Sequence, residues 1–225
     1  MRRVLGLSAA IIFFLPIQAQ AQPAKVPETM TKIVVRLLGP DIKPGSFAAL
    51  PRTIYRAGDR YARVEDPPDA RQRIEKLTIV AEPDAYSLNV LEKKGTHAID
   101  RGGPSDIHLP VVLPFDPKHK LGALDRLEFG SELELFENAG ATKQAGPIVN
   151  GKSTDSYVLQ TPEGPARLVL RAGTERPIFV DWQSVDGTYR YEYIEYEDLP
   201  FNPALFAKPE GYEIKEIRPD AEEKQ

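Results

Sequence analysis

Serine, aspartate and histidine fall together in Asp100-Arg101-Gly102-Gly103-Pro104-Ser105-Asp106-Ile107-His108. Those residue types are the material of nucleophilic hydrolysis, in which a hydroxyl attacks, an imidazole takes its proton and a carboxylate orients the ring. Triad members converge from distant segments, however, and no Gly-x-Ser-x-Gly elbow occurs, so the stretch reads as a polar loop. Gly102-Gly103 can turn tightly but lacks the lysine and hydroxyl residue of a phosphate-binding loop. His97, His108 and His119 are the chain's three histidines. With Asp100 or Asp106 they offer an imidazole–carboxylate set of the kind zinc accepts. No His-Glu-x-x-His spacing supports it, and scattered histidines are more simply solvated. Glu192, Glu195, Glu197 and Asp198 imitate a glycosidase's carboxylates. That chemistry needs two carboxylates facing across a sugar cleft, whereas neighbours on one strand make a solvated outer face. No catalytic, metal-binding or cofactor site is read here, and the expectation is that the protein is not an enzyme.

The elements that would position such residues begin with the N-terminus. Met1-Arg2-Arg3 is followed by an apolar run from Val4 to Ile17 and by Ala19-Gln20-Ala21, the pattern of a cleavable secretory signal. The run is shorter than the ~20 apolar residues a membrane-spanning helix needs. Cleavage after Ala21 leaves 204 of the 225 residues. No later stretch is long and apolar enough to span a bilayer, so the mature chain is expected to be exported, soluble and free of a membrane span. Without Arg2 and Arg3, 27 of the 29 basic residues remain against 33 acidic ones, a net charge of −6. That balance argues against nucleic acid, whose phosphates call for a basic face. With no cysteine, an exported chain has neither disulfides nor a thiol nucleophile and relies on its core. The chain is expected to form a single domain over residues 22–217, with a charged, disordered tail at 218–225.

Alternation and turn residues predict a mainly β chain. Lys32–Leu38 is a β-rich run. Thr53–Glu65 reads as a hairpin around Ala57-Gly58-Asp59. Ile74–Ala81 leads through Glu82-Pro83-Asp84 into Tyr86, Leu88 and Val90, and Lys93-Lys94-Gly95 turns again into His97–Ile99. Strands resume at Ser153–Gln160, Ala166–Ala172, Ile178–Gln183 and Thr188–Glu197. Between the two groups, Leu121, Leu124, Leu127, Leu133 and Phe136 recur at helical spacing. Gly130 interrupts them. Ser131 is a candidate N-cap for a helix over Glu132–Asn138, and Gly140 ends it. Tyr189, Tyr191 and Tyr193 share one face of the last strand, with Arg190 and Glu192 on the other. Tyr196 then falls out of phase, so a β-bulge near Tyr193-Ile194 is expected to keep the aromatic face on one side. Leu199–Phe206 is expected to cross an open end of the sheet.

Pro177-Ile178-Phe179-Val180, Ser184-Val185-Asp186-Gly187, Asn202-Pro203-Ala204-Leu205-Phe206 and Pro209-Glu210-Gly211-Tyr212 together resemble the ending of LolA-like periplasmic lipoprotein-carrier proteins. The meander from Thr53 to Ile99 is similar as well. The resemblance implies a fold: an unclosed, strongly curved antiparallel β-sheet, a half-barrel, with a short helix over its concave face. It also implies a function, in which an apolar trough holds a lipid or the acyl chains of a lipoprotein, an envelope protein can act as partner, and no cofactor is used. Phe129, Leu133 and Phe136 over the sheet, with Trp182 and Tyr191 within it, are the candidate trough residues. Residues 22–32 do not form the amphipathic lid helix with which the family's carriers begin. The family's lid-latching arginine is not assigned among Arg56, Arg60 and Arg63. The alternative is an interaction or sensor module on the same scaffold, its trough filled by its own side chains and its partner a protein.

Overall fold

The computed structural model describes residues 26–99 and 121–217. The proposed signal segment, the Asp100–His108 stretch, His119 and the tail from Arg218 lie outside the described residues. Among the described residues no helix is long and apolar enough to cross a membrane.

The described residues start with β1 (Thr29–Leu38) and then meander through β2 (Arg52–Ala57), β3 (Tyr61–Glu65), β4 (Lys76–Ala81), β5 (Asp84–Asn89) and β6 (Lys94–Ile99). A 3-10 turn at Gly122–Arg126 and a short helix, α1 (Glu132–Asn138), precede a second meander. That meander comprises β7 (Thr142–Ala145), β8 (Thr154–Thr161), β9 (Gly164–Arg171), β10 (Pro177–Ser184) and β11 (Gly187–Pro200). The last strand among the described residues is β12 (Glu213–Ile217). All twelve join one sheet in the order β12-β6-β5-β4-β3-β2-β1-β11-β10-β9-β8-β7. The pairing of β1 with β11 welds the two meanders, and the sheet stays open, with β12 and β7 at its ends. This is the expected half-barrel.

Register sorts the side chains into two faces, because successive residues of a strand point opposite ways. One inner row runs Ile33, Ile54, Val64 across β1, β2 and β3. The neighbouring outer row runs Lys32, Tyr55, Arg63, Ile79, Tyr86 and His97. The inner face carries the larger core, joined by Leu168, Val180 and Trp182 from the second meander. The outer face of the first meander carries a second core, which one-sided alternation did not suggest. Its base is Ala57, Leu77, Ile79, Tyr86 and Leu88. The segment after β11 covers it: Phe201 and Phe206 meet Tyr61 edge-on at 5.0 and 5.4 Å, and Arg63 Nη1 donates to the Leu205 carbonyl at 3.0 Å. So Leu199–Phe206 does not cross an open end. It straps the outer face, because Tyr55, Tyr61 and Tyr86 leave too much apolar surface there to stand in water.

The bulge lies where the broken alternation placed it. Val34 stands opposite Glu195 and Val35 opposite Tyr193, so Ile194 is the extra residue. It is 45% exposed, while Tyr189, Tyr191 and Tyr193 are all buried and Tyr196 packs against the same core. β7 and β12 were not expected. The first is four exposed residues, and the second is a charged strand whose parallel pairing with β6 sets it in place.

Candidate functional site

All five candidate trough residues come together on the inner face. Phe129 meets Tyr191 edge-on at 5.3 Å. Trp182 stacks on Tyr189 at 5.7 Å and lies tilted against Tyr191 at 5.7 Å. Phe136 is fully buried, and Leu133 packs half-buried against the cluster. The segment from Leu121 to Phe136 lays its apolar side chains onto the sheet and adds no strand to it. Its helical spacing is divided: Leu121 and Leu127 flank the 3-10 turn at Gly122–Arg126, and α1 starts only after Gly130, whose φ of +88° suits a residue without Cβ.

The polar groups of this segment are fixed from below. Ser131 occupies the N-cap position of α1, yet its hydroxyl makes no cap bond. It accepts instead from Arg56 Nη1 at 2.9 Å, and the same nitrogen donates to the Phe129 carbonyl at 3.1 Å. Glu128 approaches Arg56 at 3.7 Å. Glu132 lies in the first turn of α1, where an acid favours the helix dipole. Its side chain is buried and turned back, accepting from the Gly130 N–H at 2.9 Å and the Tyr193 hydroxyl at 2.6 Å. Burial raises the Glu132 carboxyl above the usual range, against the lowering effect of those two donors and of Arg56. Burial also pushes the Tyr193 phenol well above its ordinary value, with the Glu132 carboxyl adding to the rise.

Of the three arginines that sequence reasoning left undecided, Arg56 is the one that holds this segment. The signal was present. Arg56 occupies the inner phase of β2, two residues from Ile54, whereas Arg63 falls in the outer phase of β3. A guanidinium in an apolar row requires acceptors, and the segment above supplies them.

The other sequence candidates are placed elsewhere. His97 is on the outer face, stacked on Tyr86 at 4.5 Å, with its ring nitrogens 2.8 Å from Glu216 and 2.7 Å from Asp84. His108, His119, Asp100 and Asp106 lie outside the described residues, as does Ser105. Glu192 and Glu195 pair with Arg36 and Lys32 on the outer face. Asp198, beyond the bulge, bonds Arg176 at 2.8 Å and Thr31 at 3.3 Å. It aligns with Thr31 in the inner phase, so the four acids do not share one face.

A cavity of about 130 Å³ indents the core beside Val35, Leu37 and Tyr191. Tyr191 is thus the one trough candidate that lines an open space among the described cavities; Trp182 packs in the core, and Phe129, Leu133 and Phe136 belong to the covering segment itself. Burial pushes the Tyr191 phenol up to about 12.

No family model and no curated protein matches this sequence. Solved structures that align with this chain include an uncharacterized conserved protein from Thermus thermophilus, at 9% identity and a TM-score of 0.49, covering 84% of this chain and 91% of that one. A LolA superfamily protein from Nitrosomonas europaea aligns at 10% identity and a TM-score of 0.30, covering 81% and 91%. A putative outer membrane lipoprotein-sorting protein domain from Vibrio parahaemolyticus aligns at 8% identity and a TM-score of 0.30, covering 76% and 85%.

Proposed function

We propose that this chain is a periplasmic binder or carrier of a lipid or an acylated protein, exported by residues 1–21 and acting without catalysis. The observation that carries the reading is that one continuous segment, Leu121 to Phe136, seals the inner face of an open sheet. Among the described residues, moving that segment would bare Ile33, Leu168, Val180 and Trp182, which share one buried cluster with it. Burying Leu121, Leu124, Leu127, Phe129 and Phe136 stabilises the closed form by on the order of 10 kcal/mol, at roughly 2 for each side chain. The segment therefore does not lift into water unaided. An acyl chain buries about 0.8 kcal/mol per methylene, so about twelve methylenes in the vacated space would offset its loss. Exchange of plug for chain is then close to balanced, which a carrier that must load and unload requires.

The test is native mass spectrometry of the mature protein, isolated from a periplasmic fraction without detergent, with organic extraction of what accompanies it. A stoichiometric adduct that extracts as a lipid is expected. A bare mass, unchanged after incubation with phospholipids and acylated peptides, would overturn the reading. Leu133→Glu, at a half-buried position, is expected to abolish uptake in a protein that still folds. The second reading, an interaction module with a filled core, is favoured by the complete burial of Leu121, Leu124 and Phe136. Under it the same experiment returns lipid-free protein, and a protein partner is the ligand.

A further inference from the structure

One corner of the trough is not sealed by the plug. The connection from Gly39 to Pro51 and the connection from Asp66 to Glu75 face each other across two adjoining cavities. The inner one, of about 130 Å³, is walled by Val35, Leu37 and Tyr191 of the core and by Phe47 and Leu50. The outer one, of about 660 Å³, shares Phe47 and Leu50 with it and is lined further out by Lys43 and Arg71. Phe47, 39% exposed, stands in the opening.

The charges around this mouth are unequally engaged. Asp41 accepts the Tyr189 hydroxyl at 2.8 Å. Asp69 accepts the backbone N–H groups of Arg71 at 2.9 Å and Gln72 at 3.2 Å. At the throat, which Arg36 and Arg52 also line, Arg52 is paired with Asp66 and Arg36 with Glu192. The side chains of Lys43 and Arg71 meet no carboxylate at ion-pair distance among the described residues. Two exposed cations with no carboxylate partner among the described residues therefore line a mouth that adjoins a mainly apolar throat beside Leu37 and Tyr191.

We propose that this mouth is a recognition site for the anionic head of a single-chain amphiphile, a carboxylate or a phosphate monoester held by Lys43 and Arg71. Its first methylenes lie in the throat against Leu37 and Tyr191. The proposal rests on the carrier reading and narrows its ligand class. The throat is close in size to a cavity of ~150 Å³ that admits benzene, so it takes the start of a chain and not the whole. The remainder of the chain must displace the plug, and head capture at the mouth comes first. A neutral head would gain nothing from the two cations. Each exposed charge pair contributes modestly, so the selectivity expected from two is about 5- to 10-fold.

The experiment titrates delipidated mature protein with sodium dodecanoate, dodecyl phosphate and the uncharged 1-dodecanoylglycerol, each below its aggregation threshold. Binding is read by calorimetry on the wild type and on Lys43→Gln/Arg71→Gln. Both substitutions are at exposed positions and leave the core untouched. The expected result is that at least one anionic amphiphile binds about 5- to 10-fold tighter than the glyceride, and that the double variant binds all three alike. The tighter of the two anions identifies the head as carboxylate or phosphate. If all three bind the wild type equally, the head site is overturned while the carrier reading stands. If none binds, both fall. Acetate and inorganic phosphate serve as head-only probes; either one competing as strongly as its amphiphile would overturn the role of the throat.

Discussion

The hydroxyl of Tyr193 donates to the Glu132 carboxyl at 2.6 Å inside the core, joining the bulged strand β11 to the first turn of α1. Two groups that titrate far apart in water here share one hydrogen bond away from solvent. The helix is thereby tied to the sheet at a point that responds to protons.

Glu132 sets the sign of that response. Its folded-state carboxyl is raised above the ordinary value of 4.5, so the unfolded chain releases this proton first as pH climbs. A raised carboxyl contributes stability at low pH that fades as pH rises from about 4.5 through the folded value. Glu132→Gln removes the proton and keeps an oxygen that can accept from Tyr193 and Gly130. Thermal unfolding between pH 4 and 8 is expected to show the wild type losing ground to the variant as pH rises. Parallel curves for the two proteins would count against a buried, proton-linked Glu132.

Arg56 holds the same segment through a backbone carbonyl and a side-chain hydroxyl. Arg56→Met keeps much of the aliphatic stem and deletes the donors to the Phe129 carbonyl and the Ser131 hydroxyl. Leaving part-buried acceptors unpaired costs about 1–3 kcal/mol. The loss is expected to be local. Hydrogen exchange should speed up in residues 121–139, while β8 to β10 keep their protection. Uniform loss across the sheet would instead make Arg56 a general structural residue.

His97 ties β12 to the meander. Its hydrogen bond to Glu216 raises the imidazole above its usual 6.5, with the bond to Asp84 adding and burial opposing. A raised histidine stabilises fully below the unfolded value of about 6.5, and the contribution is lost as pH rises through the folded value. Exchange at Glu213–Ile217 should therefore be slower at pH 5.5 than at pH 8.5, after correction for intrinsic rates. In His97→Gln the difference should vanish. A wild-type strand equally protected at both pH values would refute the clasp.

Gly95 tests the outer core. It pairs with Leu88, and a Cβ added there would stand 2.5 Å from Leu88 Cδ2 and 2.5 Å from the Ser87 carbonyl oxygen. Backbone on one side leaves little room to yield. Gly95→Ala is expected to cost about 1–3 kcal/mol by overpacking, read as a lower denaturant midpoint with an unchanged slope.

What the sequence could disclose followed from the range of the forces involved. The bulge at Ile194 was legible because period-two alternation is local, and its break between Tyr193 and Tyr196 calls for one extra residue. The hairpins of the first meander were legible for the same reason. The second core was not, although its residues were in view. Tyr86 and Leu88 marked one buried face, but alternation does not say whether that face is inner or outer. Only the register through Ile79 and Arg63 to Tyr55 settles it. β12 was missed because Glu213-Ile214-Lys215-Glu216-Ile217 has no strand signature of its own; β6, more than a hundred residues away, places it. Phe129, Leu133, Phe136, Trp182 and Tyr191 share one face because helical spacing above and alternation below both point at the same core. Whether aromatic side chains line a hollow or fill it depends on how closely the plug approaches the sheet, and residue type does not carry that distance.

The strap across the outer face bears on the order in which this protein can be completed. Tyr61, Ile79 and Tyr86 belong to strands made early, yet the residues that cover them, Phe201, Phe206 and Ile214, are among the last of the described chain to be synthesised. β1 likewise waits for β11, with partners as far apart in sequence as Thr31 and Asp198. Such non-local pairing is slow to form. Until it does, the first meander presents one apolar surface inward and another outward, with both edges unpaired, which is the condition in which chains associate with one another. A chain completed in this order has a defined interval of vulnerability. It lasts until the described residues beyond Pro200 arrive, and any factor that guards this protein would have to act before then.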